Sequence, residues 1–552
     1  MKKYKLSILA LGLITLKANA QLGKPKETFT RADTLRGSLT TPLRTCYDIN
    51  YYHLDVKFDI PDKSISGNVL FKFTATTDFT KLQFDLFSNL NIEKVVYKGH
   101  DLTYTREFNA VFLTFPETIK RGSKDEFTVY YSGHPTIAKN APWDGGIVYK
   151  TDSLGNPWVA TACQGVGASI WWPNKDQQAD EVDSALISIS VPTGLQDASN
   201  GRLRKVTDLH NGYTRFDWFV ANPINNYDIE ANIGKYAHFA DTYDGEKGKL
   251  TLDYWVLAYN LDKAKKHFGE NVKEMIKAFE HWFGPYPFYE DGYKLIEAPH
   301  LGMEHQSGTA YGNHYRNGYS GHDLSGTGWG LKWDFIIVHE SGHEWFGNNI
   351  TSKDLADMWI HESFTNYSES LFVEQRYGKQ AGQEYVHGTR MAIVNDRPIV
   401  GYYNVNKEGS GDMYYKGGNL LNMVRTIIND DEKWRSILRG LNKTFYHQTV
   451  TYDDVVDYIC TQSGKNLKPV FDQYLNYRGI PILEFMVIRG ELNCRWIVDA
   501  RDFDMPVRVK VKGGEYQFIQ PTTRFKPVNI TGLTKDNLEV DTFNYYIGVL
   551  VD

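Results

Sequence analysis

Residues 339–343 read His339-Glu340-Ser341-Gly342-His343, and Glu362 follows after eighteen intervening residues. Two histidines four apart on a helix share one face, so both imidazoles can reach a single metal ion. Glu340, directly after His339, can point at the open side of that ion without being captured as a ligand. Glu362 adds a third donor from a following helix and leaves one position for water. Three protein ligands plus water describe a catalytic zinc site, whereas a structural site is closed by four.

The five-residue string is a weak signal in a chain with 16 histidines, because a histidine pair on a helix face can simply be polar surface. Its flanks strengthen it. Trp333-Asp334-Phe335-Ile336-Ile337-Val338 is an apolar lead-in suited to a buried helix. Downstream, Asp357 to Tyr367 opens a second helical pattern that runs to Tyr377 and stops at Gly378. Taken together these segments resemble the aminopeptidase N family of zinc exopeptidases. His339–Thr351 follows that family's H-E-x-x-H-x-W-F-G-N-x-V-T pattern, and Trp359–Tyr367 its W-L-N-E-G-F-A-x-Y pattern, both without gaps. Ile350, His361 and Ser363 replace valine, asparagine and glycine, and none of them removes a ligand. The resemblance implies one Zn2+ per chain on His339, His343 and Glu362, with Glu340 as general base.

The same resemblance reaches three further places. Leu301-Gly302-Met303-Glu304-His305 stands where the family has G-x-M-E-N, with Leu301 for glycine and His305 for asparagine. By resemblance this edge segment, Gly302 included, holds the substrate main chain, and Glu304 binds the free α-amino group. Such a charge-assisted hydrogen bond would select a chain end over an internal peptide bond. Thr161-Ala162-Cys163-Gln164 resembles the loop that gives a second contact to the amine, through Gln164, although Ser169 stands where relatives usually have arginine. Tyr414-Tyr415-Lys416-Gly417 matches the family's Y-x-K-G. That register makes Tyr414 the phenol that stabilises the tetrahedral intermediate, and two adjacent tyrosines leave the other register open.

Composition bounds the rest. With 41% hydrophobic and 23% charged residues, the 552-residue chain is ordinary globular material, long enough for three to four domains. A net charge of −6 offers no basic face for nucleic acid. The 36 tyrosines suit a protein rich in β-sheet. Lys2, Lys3 and Lys5, an apolar Leu6–Leu16 and Ala18-Asn19-Ala20 read as a cleavable signal peptide over residues 1–20, so the expectation is an exported protein, periplasmic or secreted, starting at Gln21. No later run reaches eighteen apolar residues, so no stable membrane anchor is expected. Cys46, Cys163, Cys460 and Cys494 are too scattered for a ligand cluster and read as free thiols, with any pairing left undecided.

Residues 21–45 are polar with scattered prolines and read as a flexible lead-in. From 46 to 240 the pattern alternates as strands do, for instance Tyr52–Ile60 and Gly67–Phe73 around a turn at Asp62-Lys63. A helical run at Asp262–Phe283 opens the second unit, 241–478, and short strands return from 479 to 552. The fold class is multidomain α+β. By resemblance the first unit is a saddle-like β domain and the second a thermolysin-like α/β catalytic domain. The last 70 or so residues suffice for a short β-sandwich. The expected activity is a zinc-dependent aminopeptidase acting as a monomer on peptides with a free N-terminus. A thermolysin-type endopeptidase, needing no amine anchor, and an inactive binding protein on the same scaffold are the alternatives.

Overall fold

The computed structural model describes residues 27–534 and 536–551, so the signal peptide expected at residues 1–20 lies outside the described residues. The β-rich N-terminal unit is built on an eight-stranded sheet. Its central strand, Tyr47–Asp59, pairs antiparallel with Ser64–Ala75 and parallel with Ser184–Pro192. Alternation along Tyr47–Asp59 buries Tyr52, Leu54, Val56 and Phe58 on one face, which is why that stretch forms a half-buried strand. A smaller four-stranded sheet contains Gly146–Thr151 and Pro157–Ala162, and the loop after the latter carries Gln164 into the centre of the molecule.

The catalytic unit begins with a five-stranded sheet in the order Tyr236–Gly245, Gly248–Leu257, Tyr293–Glu297, Thr309–Tyr311, Gly302–Met303. The boundary expected at residue 240 therefore falls inside a strand. Tyr236–Gly245 belongs with the catalytic sheet because its hairpin partner, Gly248–Leu257, pairs directly with Tyr293–Glu297. Gly302–Met303 is the edge strand, with one side unpaired. A long helix, Leu261–Phe283, covers this sheet; Asp262 sits in its first turn and not at its cap, which is Asn260.

Two further helices carry the motif residues. The first, Phe335–Gly342, is capped by the buried Asp334, whose carboxylate accepts from the main-chain N–H groups of Ile336 and Ile337. The same carboxylate accepts from the Tyr311 hydroxyl at 2.7 Å and meets His267 at 2.7 Å, pinning the helix start to the sheet and to Leu261–Phe283. The second, Trp359–Tyr377, is buried from Trp359 through Val373 and ends at Gly378 with φ 98°, as the glycine stop implied. Past residue 478 the chain forms a four-stranded and a three-stranded sheet. Their apolar faces, including Leu483, Trp496 and Val507, share one continuous core with the catalytic helices. All four cysteines are free thiols. Among the described residues no helix is long and apolar enough to cross a membrane.

The lead-in differs from expectation where it is described. Short helices form at Arg31–Gly37, with a Thr30/Asp33 capping box, and at Pro42–Thr45. Long-range ion pairs that local composition does not reveal tie them down. Arg36 meets Asp176 at 2.5 Å, and the fully buried Arg44 meets the equally buried Asp85 at 2.5 Å. Glu27 pairs with Lys407, and Leu39 donates its N–H to Asn404 at 3.1 Å, so this segment bridges the β unit and the catalytic unit.

Removing one partner of a buried pair strands the other charge. Arg44→Ala should therefore lower stability by about 3–5 kcal/mol in urea denaturation, whereas the double change Arg44→Met with Asp85→Leu should recover much of that loss. Equal losses in the single and double variants would show that packing, not the charge pair, holds the segment.

Candidate active site

The helix that carries His339 ends at Gly342, and His343 is its C-terminal cap. The chain then breaks sharply at Phe346 and Gly347, the latter at φ 137°. This break aims the Phe346 carbonyl back at His343, whose Nδ1 donates to it at 3.0 Å. His339 donates its Nδ1 to Glu369 at 2.7 Å, and Glu369 is held in turn by the Tyr385 hydroxyl at 2.7 Å. With both Nδ1 atoms engaged outward, both Nε2 atoms face inward. They lie 3.6 Å (His339) and 3.4 Å (His343) from Oε2 of Glu362, in the first turn of Trp359–Tyr377. That oxygen is buried and has no hydrogen-bond partner, while Oε1 accepts from Gln164 Nε2 at 3.1 Å.

Two imidazole nitrogens and an orphaned carboxylate oxygen converging on one point are the donor set of a tetrahedral zinc site. The outward hydrogen bond on each imidazole is the support such ligands need. Electrostatics agree with a site built for a cation. Although burial works the other way, the two histidines hold the Glu362 carboxyl well below the usual carboxylate range. Burial likewise opposes a charged His339, but Glu362 and Glu369 outweigh it. Glu340 also approaches, its carboxylate lying within 4.8 Å of the donor nitrogens of both histidines. Of the two carboxylates, Glu362 carries the orphaned oxygen trained on both imidazoles, so His339, His343 and Glu362 are the residues that could hold a zinc ion.

Burial pushes the Glu340 carboxyl up to about 7, against the pull of the two imidazoles. It stands against the edge strand, where a Cβ at Gly302 would come 2.9 Å from its Oε1 and 2.7 Å from Ile336 Cγ2. Only glycine leaves room for the carboxylate beside that strand.

One cavity of about 440 Å³ joins these groups to the remaining expected residues. Glu304 lines it, buried, accepting from the Tyr227 hydroxyl at 3.1 Å, and Asn348 fixes its main-chain oxygen at 2.8 Å. Tyr414 stacks on the His339 ring at 5.9 Å, and burial together with Glu362 keeps its phenol protonated far above its ordinary range. Ser363, where relatives have glycine, donates to the Met413 carbonyl at 2.7 Å and so ties the tyrosine loop to the ligand helix. Tyr415 also lines the cavity, but its charged neighbour is Glu369 and its phenol neighbour Tyr319. Of the two registers, the one with Tyr414 is therefore the one that faces the metal ligands.

The departures have local explanations. His361 accepts from the Ser352 N–H at 2.8 Å, and burial holds it neutral, its pKa lowered to about 3. His305 pairs with Glu230 at 2.6 Å, both fully buried beneath the site. Ser169 donates to Asp176, and the guanidinium meeting that carboxylate comes from Arg36, far away in sequence. Sequence reasoning missed Glu369 and Glu408. Glu369 lies seven residues after Glu362, on the same helix face, and that spacing could have revealed it. Glu408 sits in the irregular 401–410 loop, where no pattern marks it.

Against this geometry, the Peptidase family M1 domain matches residues 270–474. A probable aminopeptidase of Sulfurisphaera tokodaii is 20% identical over 449 residues, 79% of this chain and 54% of that protein. Human aminopeptidase B is 23% identical over 411 residues, 68% of this chain and 58% of its own. The chain spans little more than half the length of these curated relatives. The M1 zinc metallopeptidase from Deinococcus radiodurans shares the fold, with a TM-score of 0.66 at 18% identity over 79% of this chain and 95% of that one. The two-helix site lies inside the region that matches the Peptidase family M1 domain, and the chain is similar to aminopeptidases at 20–23% identity over most of its length.

Proposed function

We propose that this chain is a zinc aminopeptidase that removes N-terminal residues from peptides. One observation carries the reading: the cavity that holds the two histidines and Glu362 also holds Glu304 and Gln164, an amide and a carboxylate suited to an ammonium group. An endopeptidase has no use for that pair. Export of the mature chain belongs to the proposal too and rests on residues 1–20 alone.

Each residue takes a role from its placement. When bound by His339, His343 and Glu362, zinc supplies an acidified water and polarises the scissile carbonyl. Glu340 accepts the water proton and returns it to the leaving amine, a task suited to a carboxyl poised near neutrality. The Tyr414 hydroxyl, kept protonated, donates to the oxygen on which negative charge develops. Glu304 and Gln164 hold the α-ammonium. The unpaired side of Gly302–Met303 offers main-chain groups to the substrate backbone, so that only the first peptide bond is presented.

Two substitutions separate ligand from base. His343→Ala should lose bound zinc and activity together, read by metal analysis of the purified protein. Glu340→Gln should keep its zinc and lose roughly 100- to 10,000-fold in turnover. A zinc-replete His343→Ala protein, or a Glu340→Gln enzyme of normal turnover, would refute the corresponding assignment.

Exopeptidase action is tested on the substrate. N-acetylation deletes the ammonium, leaves Glu304 without its partner and should reduce kcat/KM by about 2–5 kcal/mol in transition-state binding. Glu304→Ala should slow free-amine substrates and narrow the gap between free and blocked peptides. Comparable cleavage of both peptides by the unaltered enzyme would favour an endopeptidase.

A further inference from the structure

Four glutamates line the active-site cavity, Glu304, Glu340, Glu362 and Glu408, and among the described residues lining it there is no lysine or arginine. A divalent cation and a substrate α-ammonium bring three positive charges. Those match Glu362, Glu340 and Glu304, which the proposed reaction already uses. Glu408 is surplus. Its carboxylate makes no hydrogen bond or ion pair among the described residues, although Glu362 and Glu304 repel it across the cavity. Arg397, whose positive charge acts on it, is exposed, does not line this cavity and donates to the Gly409 carbonyl at 2.9 Å.

The position of Glu408 is as informative as its charge. A Cβ placed on Gly165 would lie 3.0 Å from Glu408 Oε1, so the carboxylate stands beside Gln164, at the amine-binding end of the cavity. Asn406, two residues earlier, donates to the Gly165 carbonyl at 3.4 Å and holds the two loops together. Pro142, Met413 and the exposed ring of Trp143 also line the cavity. An unpaired carboxylate in a cavity that also presents apolar and aromatic side chains suits a long aliphatic stem tipped with a cation. Such a side chain leaves the substrate from the same carbon that bears the α-ammonium.

We propose that Glu408 reads a positively charged side chain on the first residue, making peptides that begin with lysine or arginine the preferred substrates. This rests on the aminopeptidase reading. Burial, with Glu362 and Glu304 adding to it, pushes the Glu408 carboxyl up to about 7, so a cation beside it relieves an existing strain. A neutral side chain would take up the space beside the carboxylate and displace water from it without giving it a partner.

The test compares lysyl and norleucyl chromogenic amides, nearly equal in length and shape but differing by one charge. On the zinc-loaded enzyme, lysyl should be favoured roughly 10- to 100-fold in kcat/KM, the range of a hydrogen bond to a charged group. In Glu408→Gln the lysyl-to-norleucyl ratio should fall toward unity, whichever way the norleucyl value itself moves. Zinc content and melting temperature confirm that the variant is folded, and Glu408→Asp should retain part of the preference. An unaltered enzyme that takes norleucyl as readily as lysyl overturns the proposal and leaves the aminopeptidase reading standing. A Glu408→Gln enzyme with both substrates slowed and the ratio intact also overturns it, making Glu408 a further amine anchor. Failure to cleave any free-amine substrate would instead refute the aminopeptidase reading.

Discussion

The crossing of the helices Phe335–Gly342 and Trp359–Tyr377 is the constraint on which the rest of this molecule depends. Two imidazoles, at the end of one helix and at its cap, and two carboxylates on the other helix face one another in the buried interior. Glu369 orients His339 from outside, while Glu362 faces both imidazoles from within. Such a set is stable only as a unit, because any one member buried alone would carry an uncompensated charge or an unmet hydrogen bond. The burial of Trp359 through Val373 is the structural consequence. A helix that presents polar ligands at its start needs apolar packing all round to hold them still.

Around that crossing, the other elements act as walls of one chamber. The edge strand Gly302–Met303 stops one residue short of Glu304 and brings bare backbone against Glu340, which is possible because residue 302 has no side chain. The β unit contributes one loop, and from it Gln164 reaches Glu362 across 198 positions of sequence. The segment from Glu27 to Thr45 ties the β unit to the 401–410 loop. Two loops from different units thus meet at one end of the cavity, one bearing Gln164 and one bearing Glu408.

The legibility of these features in the chain follows their physical range. The histidine pair was plain because helical geometry alone places residues four apart on one face. The stop at Gly378 was equally plain, a glycine taking a positive φ at a helix end. The lead-in was misjudged because its helices are secured by Asp85, Asp176 and Asn404, partners 41, 140 and 365 positions away. The unit boundary near residue 240 was misplaced for a related reason. A strand's allegiance is decided by its neighbour in the sheet, and that neighbour is not written in its own alternation.

The amino-acid sequence by itself carried the metal-binding motif and the family resemblance, because those depend on residue type and on spacing within single helices. It also determined the strand-rich beginning and end of the chain, through two-residue alternation. Only the tertiary structure decided which of two adjacent tyrosines faces His339 and Glu362, that Arg36 reaches Asp176 from far away in the chain, and that Glu408 belongs to the cavity at all. Each of those outcomes is a through-space relation between segments distant in the chain. Burial and charge act over ångströms in the folded interior, and local sequence patterns do not encode which segments that interior brings together.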